Sequence, residues 1–324
     1  MRRREFIAAI GSAAVAWPLA AQQSGKVPRV GILSPAADES AASLVAFRKA
    51  IRDLGYVGDV TIILDFRLSN GNLDVLSELA LQLVRVPVAV IVTDTTSATQ
   101  AAASATRTIP IVMAASGGDP VALGWAASLN KPGGNVTGML LLSLPLAAKR
   151  LQLLKYAFPA ITRVTVLFNP TSAVGPPGLR ATEQAAKLLG IAINPIAVGS
   201  PDELRALQPA SLAVSDGLTV IADGMFWNNR AVIITLASAA RIPAIYPERE
   251  YADDGGLIAY GANVPDHFRQ AAGYVDRILR GEKAGDLPIN ASSKLDFVVN
   301  LRAARALGLA ISPDFQSSAN DLIE

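Results

Sequence analysis

The 324 residues are 51% hydrophobic and 17% charged, with no cysteine and a single histidine, His267. This excludes disulfide scaffolds, Cys/His zinc sites, iron–sulfur clusters, thiol nucleophiles and any Ser–His–acid triad that does not use His267. The length suggests about two domains, the apolar fraction suffices for two cores, and the 29 basic and 27 acidic residues nearly cancel.

Residues 1–21 read as an export leader. Arg2, Arg3 and Arg4 form a basic start, an apolar stretch runs from Phe6 to Ala16, and Ala20 and Ala21 are small residues at the end. Arg3-Arg4-Glu5-Phe6-Ile7 resembles the twin-arginine consensus. The apolar run is shorter than the ~20 residues a membrane span needs. Cleavage after Ala21 is expected, although it puts Leu19 where a small residue is preferred. Three arginines and one glutamate lie in this leader, so the remaining 26 basic and 26 acidic residues balance. No basic stripe for nucleic acid is present, and no second apolar segment is long enough to span a bilayer. The expectation is a soluble periplasmic protein.

Beyond the leader, β-rich runs alternate with helical periods. Strands are expected at 29–34, 60–66, 88–93, 109–114 and 136–142, then at 164–169, 192–198, 218–223, 242–246 and 257–260. Several are continuous apolar runs, as a parallel sheet covered on both faces requires. Leu44, Phe47, Ile51 and Leu54 share one helical face that stops at Gly55. Leu73, Leu76, Leu79 and Leu83 repeat the design, as do Phe268, Ala272, Val275 and Leu279 before Gly281. Residues 98–114 and 231–247 also match in layout: an Ala-rich helix, a basic residue, then Ile-Pro opening a strand. Chance similarity of Ala-rich helices is the alternative. The pattern predicts an α/β fold of two doubly wound parallel-sheet lobes joined by hinge crossovers. Lobe 1 is expected from 28–142 plus about 257–285, and lobe 2 from 143–256 plus about 286–324. The first crossover is placed at 142–147, the return at 247–256 and a third crossing at 285–290.

Ligands of open parallel sheets sit beyond the carboxyl ends of the strands. In the first half that rule collects Ser34, the run Thr93-Asp94-Thr95-Thr96-Ser97, and Ser116 with Asp119. In the second half it collects Asn169, Asp223 with Phe226 and Trp227, and Tyr246, with Tyr260 near the hinge. Thr95, Ser97 and Asp119 have an alternative reading as helix caps, Asn169-Pro170 as a turn, and Phe226 or Trp227 as core. As a set, they suit a cleft for a small zwitterion or polar metabolite. Asp223 or Asp94 would receive an ammonium, while Ser34, Thr95 and Ser116 surround a carboxylate. The expected ligand-binding residues are Ser34, Thr93, Asp94, Thr95, Ser116, Asp119, Asn169, Asp223, Phe226, Tyr246 and Tyr260.

Enzyme signatures are absent. There is no G-x-S-x-G elbow, no G-x-x-x-x-G-K-[ST] loop and no G-x-G-x-x-G after the first strand. Gly133-Gly134-Asn135-Val136-Thr137-Gly138 precedes a strand and reads as a turn. His267 opens a helix away from the strand ends and reads as solvated or cap-adjacent. No catalytic residue, metal site or cofactor is expected.

Several blocks carry a family resemblance. They include Leu54-Gly55-Tyr56-Val57, 117–138 (GGDPVALGWAASLNKPGGNVTG), Lys149-Arg150-Leu151, 242–247 (IPAIYP), 255–261 (GGLIAYG), 277–288 (RILRGEKAGDLP) and 294–309 (KLDFVVNLRAARALGL). On these the chain resembles the ABC-transporter substrate-binding proteins of the tryptophan/tyrosine-binding-like type. It departs from their pattern at 55–61, at 202–217 where Pro209 interrupts, and at Gly224-Met225-Phe226-Trp227. The resemblance implies a type I periplasmic-binding fold whose two lobes close over a small organic ligand, an amino acid or related compound, for delivery to an inner-membrane ABC permease. A ligand-sensing module for a membrane receptor would use the same closure and is the alternative; an enzyme is the third reading.

Overall fold

The computed structural model describes residues 27–291 and 294–324; the leader read in residues 1–21 lies outside them. The first half runs β1 (Arg29–Ser34), α1 (Ala42–Asp53), β2 (Ile63–Leu68), α2 (Leu76–Arg85), β3 (Val88–Thr93), α3 (Thr96–Ala105), β4 (Ile111–Ser116) and β5 (Val136–Leu140). The second begins with α4 (Ser143–Ala157), β6 (Arg163–Phe168), α5 (Gly175–Leu189), β7 (Ala192–Ala197), α6 (Pro201–Ala206), α7 (Pro209–Leu212) and β8 (Gly217–Val220). It continues with α8 (Gly224–Asn228), α9 (Arg230–Ala239), β9 (Ala244–Tyr246), α10 (Arg249–Asp253) and β10 (Ile258–Ala262). Then come α11 (Val264–Leu279), β11 (Asn290–Ala291), β12 (Leu295–Asn300), α12 (Leu301–Leu307), α13 (Pro313–Ser318) and β13 (Asp321–Ile323).

These strands form two sheets, β11-β5-β4-β3-β1-β2 and β13-β12-β10-β9-β8-β6-β7. The orders β2-β1-β3-β4-β5 and β7-β6-β8-β9-β10 correspond strand for strand, so the α/β halves are built alike. Among the described residues, all strand pairings are parallel except β10 with β12. The similar stretches 98–114 and 231–247 occupy matching places, each a helix leading into the fourth strand of its sheet.

Alternation within the strands feeds both faces, as parallel sheets require. In lobe 1, Val30, Ile32, Val90 and Val92 pack against Leu44, Phe47 and Ile51 of α1 and Phe268 and Val275 of α11. Leu33, Ile91 and Met113 face the other way, against Leu76 and Leu83 of α2 and Ala98 and Ala102 of α3. In lobe 2 one face meets α4, α5 and α13 through Leu151, Leu154 and Phe315. The opposite face meets α8 and α9 through Phe226, Ile233 and Leu236.

Two expected boundaries are corrected. β10, expected in lobe 1, pairs with β9 and β12 in the second sheet. It is the counterpart of β5, and each sheet needs its fifth strand before the chain can leave. The return to lobe 1 therefore comes at Asn263, ahead of α11, which packs on α1 and β4; it is not at 247–256. Likewise β11 pairs with β5, so residues 290–291 belong to the first sheet. The last passage to lobe 2 falls between β11 and β12 rather than within 285–290. His267 is also corrected: it is fully buried on the inner face of α11, and burial holds its imidazole below the usual pKa.

Candidate functional site

The carboxyl ends of β1, β3 and β4 in lobe 1 face those of β6, β8 and β9 in lobe 2 across a cleft. Lobe 1 supplies Pro35 after β1, Asp94, Thr95, Thr96 and Ser97 after β3, and Ala115 and Gly117 around the end of β4. Lobe 2 supplies Ser143 at the start of α4, Ser172 and Val174 before α5, Asp223, Gly224 and Trp227 after β8, and Glu248 and Glu250 after β9. Leu141 and Val264 line the hinge end, beside the two passages between lobes.

The walls touch. A Cβ placed on Gly71 would lie 3.4 Å from Asn228 Cβ, and one on Gly117 would lie 3.5 Å from Val174 Cγ2. Leu73 of lobe 1 packs against the core that contains Phe226 and Ile233 of lobe 2. The lobes are closed on one another.

Charge is distributed unevenly. Asp94, Asp223, Glu248 and Glu250 all line the cleft, and no Lys, Arg or His among the described residues does. Burial raises Asp94 to about 6; the Ser34 hydroxyl, donating to its Oδ2 at 2.5 Å, opposes the rise and nearby Glu250 adds to it. Burial raises Glu248 to about 8 despite Arg150 nearby, and raises Glu250 as well. Asp223 caps α8, its Oδ1 accepting from the Met225 N–H at 2.9 Å. Asn169 Nδ2 approaches both Asp223 oxygens at 3.4 Å, while Asn169 Oδ1 is held by the N–H and hydroxyl of Thr171.

Helix N-termini open on the same cleft. Thr95 caps α3, its Oγ1 accepting from the Ala98 N–H at 3.2 Å. The next N–H groups, at Thr96 and Ser97, precede the intrahelical ladder and carry the positive end of the helix dipole. Thr96 Oγ1 accepts from the N–H groups of Gly117 and Gly118, at 3.0 and 3.1 Å, which ties the β4 loop to this helix start. The N-terminus of α4, 15 residues long and without a side-chain cap, opens on the same cleft through Ser143. That of α5 reaches it through Val174, but Pro176 and Pro177 have no N–H to offer. Carboxylates beside helix N-termini make a surface complementary to a zwitterion.

Of the expected site residues, Asp94, Thr95 and Asp223 line the cleft. Ser34, Ser116 and Asn169 stand directly behind it, bonded to or in contact with Asp94, Thr96 and Asp223 respectively. Thr93 turns into lobe 1, its hydroxyl 2.8 Å from that of Thr99. Four others are corrected. Asp119 is exposed and its Oδ1 accepts from the Val121 and Ala122 N–H groups, the capping alternative. Phe226 points into the lobe 2 core, and the helical phase of α8 instead turns Trp227 to the cleft, under the Arg230 guanidinium at 4.8 Å. Tyr246 is buried in the lobe 2 core, where it stacks on Tyr251 at 4.8 Å. Tyr260 lies edge-on to Phe297 in the other core face.

The sequence reading missed Glu248 and Glu250, which follow β9 as the strand-end rule requires but fell within the segment read as the return crossover. It also missed Arg150. The spacing Ala147, Arg150, Leu151, Leu154 puts this arginine on the buried face of α4, where it is 1% exposed. Its Nη1 donates to the Tyr260 carbonyl at 3.2 Å, and burial lowers its pKa to about 10, so it remains a cation. Among the described residues no group of three or more His, Asp or Glu is placed to hold a metal ion, and no helix is long and apolar enough to cross a membrane.

Two like-built α/β lobes closed on a polar cleft define a solute-binding protein of the type I periplasmic-binding fold. The model of the ABC transporter substrate binding protein family matches residues 29–323, and the chain belongs to that family. It is 26% identical over 264 residues to the Tyrosine-binding protein of Clostridioides difficile (strain R20291), covering 81% of this chain and 75% of the relative. A conserved domain protein from Vibrio cholerae superposes with a TM-score of 0.86 at 26% identity, covering 92% of this chain and all of that one. An ABC domain solved in complex with L-Trp, from Streptococcus pneumonia, has the same fold, with a TM-score of 0.83 at 23% identity over 92% of this chain and all of that one.

Proposed function

We propose that the protein is the exported receptor of an ABC importer, which closes its lobes over an amino acid with an aromatic or apolar side chain and presents it to an inner-membrane permease. The observation that carries the ligand class is the cleft wall: four carboxylates, no basic side chain, and the N-termini of α3 and α4. In this reading Asp223, positioned by Asn169, and Asp94, held by Ser34, receive the ammonium. The N–H groups at Thr96 and Ser97 receive the carboxylate, with Thr95 fixing the helix start. Trp227, Leu141 and Val264 supply apolar contact for the side chain. Support for an aromatic side chain comes from the names of two similar proteins, one tyrosine-binding and one bound to L-Trp. The leader pattern in residues 1–21 supports export to the periplasm.

Closure follows from differential binding, since a ligand touching both walls favours the arrangement in which they meet. The permease then distinguishes closed from open receptor. A thermal-shift screen of the twenty amino acids tests the ligand class. A ligand at ~100 times its dissociation constant stabilises by about 2.7 kcal/mol and raises the melting temperature visibly. A rise with at least one aromatic or apolar amino acid is expected; no response to any amino acid contradicts the reading.

A further inference from the structure

We infer that Arg150 and Glu248 form a recess that recognises a hydroxyl at the far end of the ligand's side chain, a phenol in particular; this rests on the amino-acid reading above. A narrow recess opens at the hinge end of the cleft and shares Leu141, Ser143, Ala222, Glu248 and Val264 with it. Its inner end holds Arg150. Both charged groups are left incomplete. Arg150 Nε and Nη2 are buried without a hydrogen-bond partner, and so is Glu248 Oε2. The two side chains face one cavity without those atoms bonding to each other. Unpaired buried donors and acceptors of this kind are costly, and a charge more so.

The chemistry of the gap selects its occupant. With Glu248 ionised, which burial confines to about pH 8 and above, a carboxylate would satisfy Arg150 and oppose Glu248, and an ammonium would do the reverse. An unsubstituted ring would leave both groups unpaired. A hydroxyl oxygen accepts from the arginine while its proton is donated to the glutamate, so one neutral group completes both. Apart from Ser143, the remaining walls, among them Leu141, Leu146, Pro247 and Val264, are apolar and suit the ring that would carry it. Sites built to bond a substrate hydroxyl discriminate strongly against the analogue lacking it, because their own polar groups are then stranded.

Calorimetric titration of the mature wild-type protein with L-tyrosine and L-phenylalanine tests this. Tyrosine is expected to bind at least about tenfold more tightly, with the ratio collapsing towards unity in Glu248→Gln and Arg150→Met. Because Arg150→Met can fail to fold, the wild-type ratio and Glu248→Gln each test the recess alone. Equal affinities in the wild type overturn the recess and leave the amino-acid cleft standing. A wild-type preference that survives intact in Glu248→Gln overturns it too, as does binding of another amino acid without tyrosine. Failure of every amino acid to bind overturns the amino-acid reading itself, and the recess with it.

Discussion

A Cβ built on Gly224 would stand 3.4 Å from Thr95 Cγ2 and 3.9 Å from Pro35 Cγ, so the first residue of α8 in lobe 2 rests on the α3 cap of lobe 1. A methyl group fits there in ordinary contact, but a large side chain would hold the lobes apart. Gly224→Trp is expected to leave the melting temperature of the ligand-free protein nearly unchanged and to weaken ligand binding by at least about tenfold, since closure contributes only in the bound state. Small-angle scattering should show a radius of gyration that no longer contracts with ligand. Wild-type contraction in this variant would contradict the contact.

Asp223 carries two duties that can be separated. Asparagine remains a good helix N-cap, so Asp223→Asn should keep α8 and change stability by less than about 1 kcal/mol. It removes the charge offered to the ammonium, worth roughly 1.5–3 kcal/mol as a charged hydrogen bond, and should weaken binding at least about tenfold. Unchanged affinity by calorimetry would remove Asp223 from the ligand's contacts.

Adjacent residues of α8 should behave oppositely. Phe226 is fully buried in the lobe 2 core, so Phe226→Ala should cost about 3–5 kcal/mol of folding stability. Trp227 lines the cleft, and Trp227→Ala should weaken binding with a smaller stability loss. Denaturant melts and ligand titration of both variants check the contrast; a Trp227→Ala protein of wild-type affinity would place the aromatic wall elsewhere.

Acidity should act through the buried carboxylates. Burial raises Asp94 to about 6 and Glu248 to about 8, and raises Glu250, with Asp223 and Arg150 nearby. The folded, ligand-free protein thus holds these protons more tightly than the unfolded chain does. That contribution to stability is complete below the ordinary carboxylate range and is lost as pH rises through about 6 and then about 8. An ammonium beside Asp94 and Asp223 favours ionised Asp94, so affinity should rise as pH passes about 6 and binding near that pH should release protons. Calorimetry in two buffers of different ionisation heat reads the release directly; net proton uptake would contradict the assignment.

Much of the fold was legible because each strand of a parallel sheet is a short apolar run and each helix shows one apolar face. β1 and β3 match their expected bounds residue for residue. The edges were not legible. β11 and β13 have two and three residues, too few to show a period, and β10 was misplaced because pairing partners leave no local mark. In the site, the strand-end rule found Asp94, Thr95 and Asp223, whose positions follow from chain direction alone. It failed for Phe226 and Tyr246, where the direction of a side chain depends on helical phase and strand face. Arg150 lies three turns from any strand end on an otherwise ordinary helix, and only packing reveals that it is buried.

An ammonium held among the cleft carboxylates is the central feature of binding, and the most direct measurement compares an amino acid with the same molecule lacking its amine. Calorimetry near neutral pH should give saturable one-to-one binding of the L-amino acid that stabilises the protein best. The deaminated acid should bind at least about tenfold more weakly, the loss of a charged hydrogen bond. Equal affinity for the two would contradict the account.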